Sequence, residues 1–228
     1  MLELGLPFEL VHVSVMKKEP WFLEINPRGK VPAIQNLQDG SVIYESAICD
    51  EYLCDYARQM DTNNNTDQDS KSKLWKLMPT DAADKAAMRL LNDHIDTQLG
   101  PAQYTFLMND DKEKDAGLMD TLEDALQVLQ DSLIQRGGPY LMGSHFTLAE
   151  AHVLPFFLRL VVSLQHFKDY QIPPQRFGRL LEWYELCTQR ESFQTTAKSD
   201  ETIVEVYQKF VDMKYGFGGL NKNKEVEM

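Results

Sequence analysis

Glu45-Ser46 follows a short apolar run and opens a helical pattern, a position where backbone N–H groups and the helix dipole favour an anion. Ser46 adds a hydroxyl donor there, and Glu45 is an acceptor suited to an ammonium. Together the pair could hold an α-amino acid group; in isolation an ordinary N-cap explains it better. Val31-Pro32 stands between a glycine-containing loop and a predicted strand. A proline there removes a ladder N–H and can adopt cis, which would display the backbone of Val31 to an extended, peptide-like ligand. Spacing alone favours a plain edge-strand proline. Cys49 and Cys54 share one predicted helix but lie about 140° apart around its axis, so they read as core thiols, as does Cys187. His12, His94, His145, His152 and His166 show no metal-ligand spacing, and no metal is expected. Gly137-Gly138 lacks the Lys-Ser/Thr that a phosphate loop needs.

The elements that must position these residues change character along the chain. Val11, Val13 and Val15 alternate with polar residues at strand period. Val31–Gln35 and Ser41–Tyr44 are two further short runs, joined by a loop ending in Asp39-Gly40, a hairpin signal. A helix is predicted over Glu45–Tyr56, with Ala47, Ile48, Glu51, Tyr52 and Asp55 on one stripe. Met60–Lys76 is polar, without apolar periodicity, and reads as a linker or surface excursion. Everything beyond it is helical in pattern. Asp81–Leu99 places Ala83, Ala86/Ala87, Leu90/Leu91, His94/Ile95 and Gln98 on one stripe, and Gly100-Pro101 predicts a kink before the helix resumes to Phe106. Leu118–Ile134 repeats the spacing with Leu122, Ala125/Leu126, Leu129 and Leu133, and Gly137-Gly138-Pro139 stops it. Thr147-Leu148-Ala149-Glu150 is a capping box opening a helix to about Gln165, apolar on most faces and therefore central. Pro174–Arg190 and Asp200–Met213 supply two more helices. A small mixed α/β portion thus precedes an all-helical bundle.

Composition narrows the function classes. The 228 residues are 43% hydrophobic and 25% charged, an ordinary globular balance that excludes wholesale disorder. A net charge of −12 argues against nucleic acid or an anionic membrane as partner. The longest apolar stretch, Val153–Leu164, is interrupted by Arg159 and is too short to span a bilayer, so no membrane role is expected. Three cysteines and no signal-peptide pattern point to a reducing, cytoplasmic setting.

Taken in order, the pieces resemble a cytosolic glutathione transferase, most of all the omega class. The resemblance runs through Lys18-Glu19-Pro20-Trp21-Phe22-Leu23-Glu24-Ile25-Asn26-Pro27-Arg28-Gly29-Lys30-Val31-Pro32-Ala33-Ile34, then Ile43-Tyr44-Glu45-Ser46-Ala47-Ile48 and Glu51-Tyr52-Leu53. Phe146-Thr147-Leu148-Ala149-Glu150 is similar to the family's cap before its central helix, and the tail Asp212-Met213-Lys214-Tyr215-Gly216 is similar to omega sequences. It implies an α/β plus all-α fold: a thioredoxin-like glutathione-binding domain over 1–60, a polar linker over 61–78 and a helical domain over 79–228. By the same resemblance glutathione is the co-substrate. Val31 pairs by backbone with its cysteinyl unit beside a cis Pro32, Glu45 and Ser46 hold its γ-glutamyl end, and Lys18 reaches its glycyl carboxylate. Lys30 departs from the omega pattern and resembles other classes, where a long polar side chain also faces the peptide.

The resemblance also implies something missing. The omega class carries a reactive cysteine at the start of its first helix, where the helix end favours a thiolate. Met1–Pro7 reads instead as the last turn of a helix, stopped by Gly5 and Pro7. The cysteine would then fall roughly ten residues before Met1, and the strand preceding it further upstream. The thioredoxin-like domain is therefore expected to be N-terminally incomplete, with no catalytic residue in this chain and no direct partner between the strands at 11–15 and 31–35. The expected activity is glutathione-dependent thiol transfer or conjugation, dehydroascorbate reduction included, on a small electrophile or mixed disulfide, by a homodimer. A non-catalytic binding or assembly module is the alternative.

Overall fold

The computed structural model describes residues 1–14, 17–63 and 77–213 of the chain, with side chains of 61–63 left aside. Two compact units divide it, Met1–Thr80 and Asp81–Met228.

In the first unit a short 3₁₀ turn, Leu2–Leu4, ends at Gly5 in the left-handed conformation (φ 61°), as the helix-stop signal predicts. Helix α1 follows at Pro20–Ile25, its proline in the first turn where a missing N–H costs nothing. Strands β1 (Ala33–Gln35) and β2 (Val42–Tyr44) pair antiparallel in the register Ala33↔Tyr44, Ile34↔Ile43, Gln35↔Val42. Their loop closes through Asn36 N–H to Ser41 O and Gly40 N–H to Asn36 O, with Gly40 at φ 76°. Asp39 accepts from both the N–H and the hydroxyl of Ser41, which lowers its carboxyl below the usual range.

Helix α2 (Ser46–Asn63) packs on both strands and runs well past the predicted Tyr56. It buries Cys49, Leu53, Cys54 and Ala57, whereas Ile48 is 58% exposed. The stripe predicted from Ala47, Ile48 and Asp55 therefore faces outward. Apolar periodicity on this helix is weak, and the small cysteines carry the inner face. The polar run meets the same correction at its start, because residues 60–63 remain helical, while 64–76 lie outside the described residues.

The predicted strand at 11–15 is not found: residues 11–14 carry no regular structure, Val11 is exposed, and Val15 lies outside the described residues. Alternation supplies a strand's period but not its ladder partner, and the described sheet holds β1 and β2 alone.

The second unit is built on helices: α3 (Ala82–His94), α4 (Gly100–Leu107), α5 (Asp115–Arg136), α6 (Leu148–Lys168), α7 (Pro174–Thr188), α8 (Glu191–Thr196) and α9 (Asp200–Asp212). The predicted kink at Gly100-Pro101 is instead a π-turn at Ile95–Leu99 that joins α3 to α4, with Pro101 in the first turn of α4. The inward face is Met88, Leu91, Ile95 and Leu99, while Leu90 is 69% exposed, so that stripe is rotated from the one predicted. On α5 the predicted Leu122, Ala125, Leu126, Leu129 and Leu133 are all buried, and Gly137 ends the helix at φ 66°.

Helix α6 opens on the predicted capping box: the Ala149 N–H donates to the Thr147 hydroxyl oxygen, while Glu150 accepts from the Thr147 N–H and hydroxyl and from the Leu141 N–H. At 21 residues α6 is long and apolar enough to cross a membrane by length and composition, which the Val153–Leu164 measure did not register. Its burial accounts for that composition, since Val153, Phe157, Leu160 and Leu164 are enclosed among the other helices.

Candidate functional site

The site begins with a turn. Asn26 is buried at 1% exposure, and its side-chain amide donates to the Lys30 carbonyl at 2.8 Å. The Gly29 N–H donates to Asn26 O at 2.8 Å, and Gly29 takes φ 59°, a conformation that disfavours any Cβ. A Cβ at Gly29 would also lie 2.8 Å from Lys18 Cδ, so the absence of a side chain there admits the Lys18 stem. Asn26 and Gly29 thus set the path of Arg28, Lys30 and Val31 and bring Lys18 against them.

The Val31–Pro32 peptide bond is cis, and Val31 is 49% exposed. Val31 stands ahead of β1 and takes no part in its ladder pairs. Because Ala33 pairs with Tyr44, Pro32 and Glu45 flank the same end of the hairpin. Register alone therefore brings Val31-Pro32 and Glu45-Ser46 together.

Glu45 has φ 69°, rare for a residue with a side chain, and its carbonyl accepts the Cys49 N–H at 2.8 Å. It is the cap residue, and Ser46 is the first residue of α2, exposed at the helix N-terminus. Glu45 Oε1 lies 3.7 Å from Lys30 Nζ and 3.6 Å from Arg28 Nη1, both exposed ion pairs. Chemically this is a hairpin end with a displayed backbone, a helix N-terminus, one acid and several cations. Such a place suits a small zwitterion carrying more than one carboxylate.

Comparison with known proteins shows what the chain resembles. Residues 1–55 match the family described as glutathione S-transferase, N-terminal domain. Over 156 residues the chain is 28% identical to glutathione S-transferase omega-1 of Sus scrofa, covering 68% of this chain and 58% of that protein. Over 204 residues it is 26% identical to glutathione S-transferase DHAR2 of Arabidopsis thaliana, covering 89% and 81%. The crystal structure of glutathione transferase Omega 3C from Trametes versicolor matches at a TM-score of 0.74 and 27% identity, over 93% of this chain and 82% of that one.

The chain is thus similar to glutathione transferases, over residues 1–55 to their N-terminal domain and along most of its length to omega-class members. Its fold is that of the family, a thioredoxin-like portion with a helical one, here with a described sheet of two strands. The chain spans less than two thirds of the length of the Sus scrofa relative.

The cysteines of this omega-like chain are enclosed. Cys49, Cys54 and Cys187 form no disulfide and are buried at 3%, 8% and 0% exposure. Burial, reinforced by the neighbouring Asp50, pushes the Cys49 thiol up and the Cys54 thiol up to about 12. Neither is a thiolate at neutral pH. Among the described residues no three His, Cys, Asp or Glu side chains cluster as metal ligands. His94 and His152 serve packing: His94 Nε2–H donates to Ala125 O at 2.8 Å, and His152 Nε2 meets Asp96 Oδ1 at 3.0 Å. Sequence reasoning missed two participants in the turn, Asn26 and Arg28. The Asn-Pro-x-Gly spacing was the available signal, since the amide N–H of an asparagine ahead of a glycine-containing turn can donate to a carbonyl beyond it.

Proposed function

We propose that this chain binds glutathione at the open end of the β1–β2 hairpin, as part of an omega-like enzyme of glutathione-dependent thiol transfer or conjugation. Val31 offers its backbone to the cysteinyl unit beside Pro32. Glu45 and Ser46 receive the γ-glutamyl end, with its ammonium toward the acid and its carboxylate at the helix N-terminus, and Lys18 faces the glycyl carboxylate. The second substrate is a small electrophile or mixed disulfide. A 1–60 glutathione-binding domain, a 61–78 linker and a 79–228 helical domain belong to the same proposal, as do a homodimer and a cytoplasmic setting.

The observation that carries it is the register Ala33↔Tyr44, which sets the cis Val31–Pro32 bond beside Glu45-Ser46. Retention on a glutathione matrix tests it. The chain is expected to be held and eluted by free glutathione, and Ser46→Ala to flow through; equal retention of both would overturn it.

Burial of the three cysteines favours a second reading, a non-catalytic glutathione-binding or assembly module. Glutathione retention without turnover of a mixed-disulfide substrate would select it.

A further inference from the structure

Two cations already stand against the acid that the proposal gives to the ligand's ammonium. Arg28 Nη1 and Lys30 Nζ approach the same oxygen, Glu45 Oε1, at 3.6 and 3.7 Å. Arg28 is steadied by a second contact, its guanidinium lying 5.1 Å from the centroid of the Tyr44 ring. Lys30 is steadied from behind, because its carbonyl accepts from the buried Asn26 amide. Glu45 is fixed in turn by its left-handed backbone and its bond to the Cys49 N–H. A carboxylate facing two positioned cations is partly screened before any ligand arrives, and an incoming ammonium must compete with both.

We infer that Arg28 and Lys30 are selectivity residues of this site: they suppress recognition of the ligand's ammonium and shift the binding preference toward its carboxylates. The inference rests on the glutathione reading above. It makes the site tolerant of anionic thiol peptides whose first residue lacks the amino group. Since both pairs are exposed, the effect is modest and falls with added salt.

Calorimetric titration at low ionic strength separates the possibilities, using glutathione and glutaryl-cysteinylglycine, the same tripeptide without its ammonium. Wild type is expected to bind the two within about twofold, and Arg28→Ala/Lys30→Ala to prefer glutathione by about three- to tenfold. Adding Glu45→Gln to that double variant should abolish the gained preference. All substitutions are on exposed side chains, and circular dichroism checks that each variant stays folded. A preference for glutathione that is the same in wild type and double variant overturns the inference while leaving the glutathione reading intact. Failure of both tripeptides to bind any of these proteins overturns the glutathione reading and the selectivity role with it.

Discussion

Asn26 and Lys30 are joined by one hydrogen bond, side-chain amide to backbone carbonyl at 2.8 Å, at a position where Asn26 is almost wholly enclosed. That bond closes the turn on which Arg28 and Lys30 stand and from which Val31 emerges. Asn26→Ala removes the donor and leaves the Lys30 carbonyl without it, a loss of about 1–3 kcal/mol. Urea unfolding should show that loss, and glutathione affinity should fall in the same variant. An unchanged affinity would mean that the turn does not position the site.

Glu150 takes three donors at the start of α6, the Leu141 N–H, the Thr147 N–H and the Thr147 hydroxyl. Burial pushes its carboxyl up, and these donors oppose the shift. Thr147→Ala should cost about 1 kcal/mol, the ordinary worth of a cap. Glu150→Ala strands two buried N–H groups and should cost about 2 kcal/mol or more. Chemical denaturation of both variants checks the order, which reverses if the box is only a surface cap.

Cys54 gives a pH dependence with a definite sign. Its folded thiol is held up to about 12, whereas an unfolded cysteine titrates near about 8.5. Its contribution to stability is full below about pH 8.5 and is lost as pH rises toward 12, at up to about 1.4 kcal/mol per pH unit. Between pH 8 and 10 the urea midpoint should fall more steeply for wild type than for Cys54→Ala. Iodoacetamide at pH 8 should label Cys54 only after denaturation. Parallel slopes and rapid native labelling would contradict the burial described.

Sequence and structure agree where one local signal is sufficient. Thr147 and Glu150 cap α6 because a hydroxyl and a carboxylate three residues apart satisfy each other's backbone neighbours wherever the helix lies. Gly137 stops α5 because the left-handed conformation suits glycine, and the α5 leucines are buried because their spacing is unambiguous. Elements that depend on a distant partner were harder to read. Val11 and Val13 alternate like a strand, yet nothing in the described sheet pairs with them. The inner face of α2 is built on Cys49 and Cys54, which carry less apolar signal than the exposed Ile48. The π-turn at Ile95–Leu99 has no signature that Gly100-Pro101 does not mask. In the candidate site, Glu45-Ser46 and Val31-Pro32 stood out by type, and their juxtaposition follows from the hairpin register. Arg28 did not stand out, because its role is set by a salt bridge across that hairpin rather than by spacing.

Amide chemical shifts recorded on the full chain as glutathione is added test the central claim most directly. The account predicts saturable shifts concentrated at Lys30, Val31, Glu45 and Ser46, with Ser46→Ala weakening the response about tenfold, the worth of a charge-assisted hydrogen bond. Shifts confined to other residues, or no saturable response at millimolar glutathione, would contradict it.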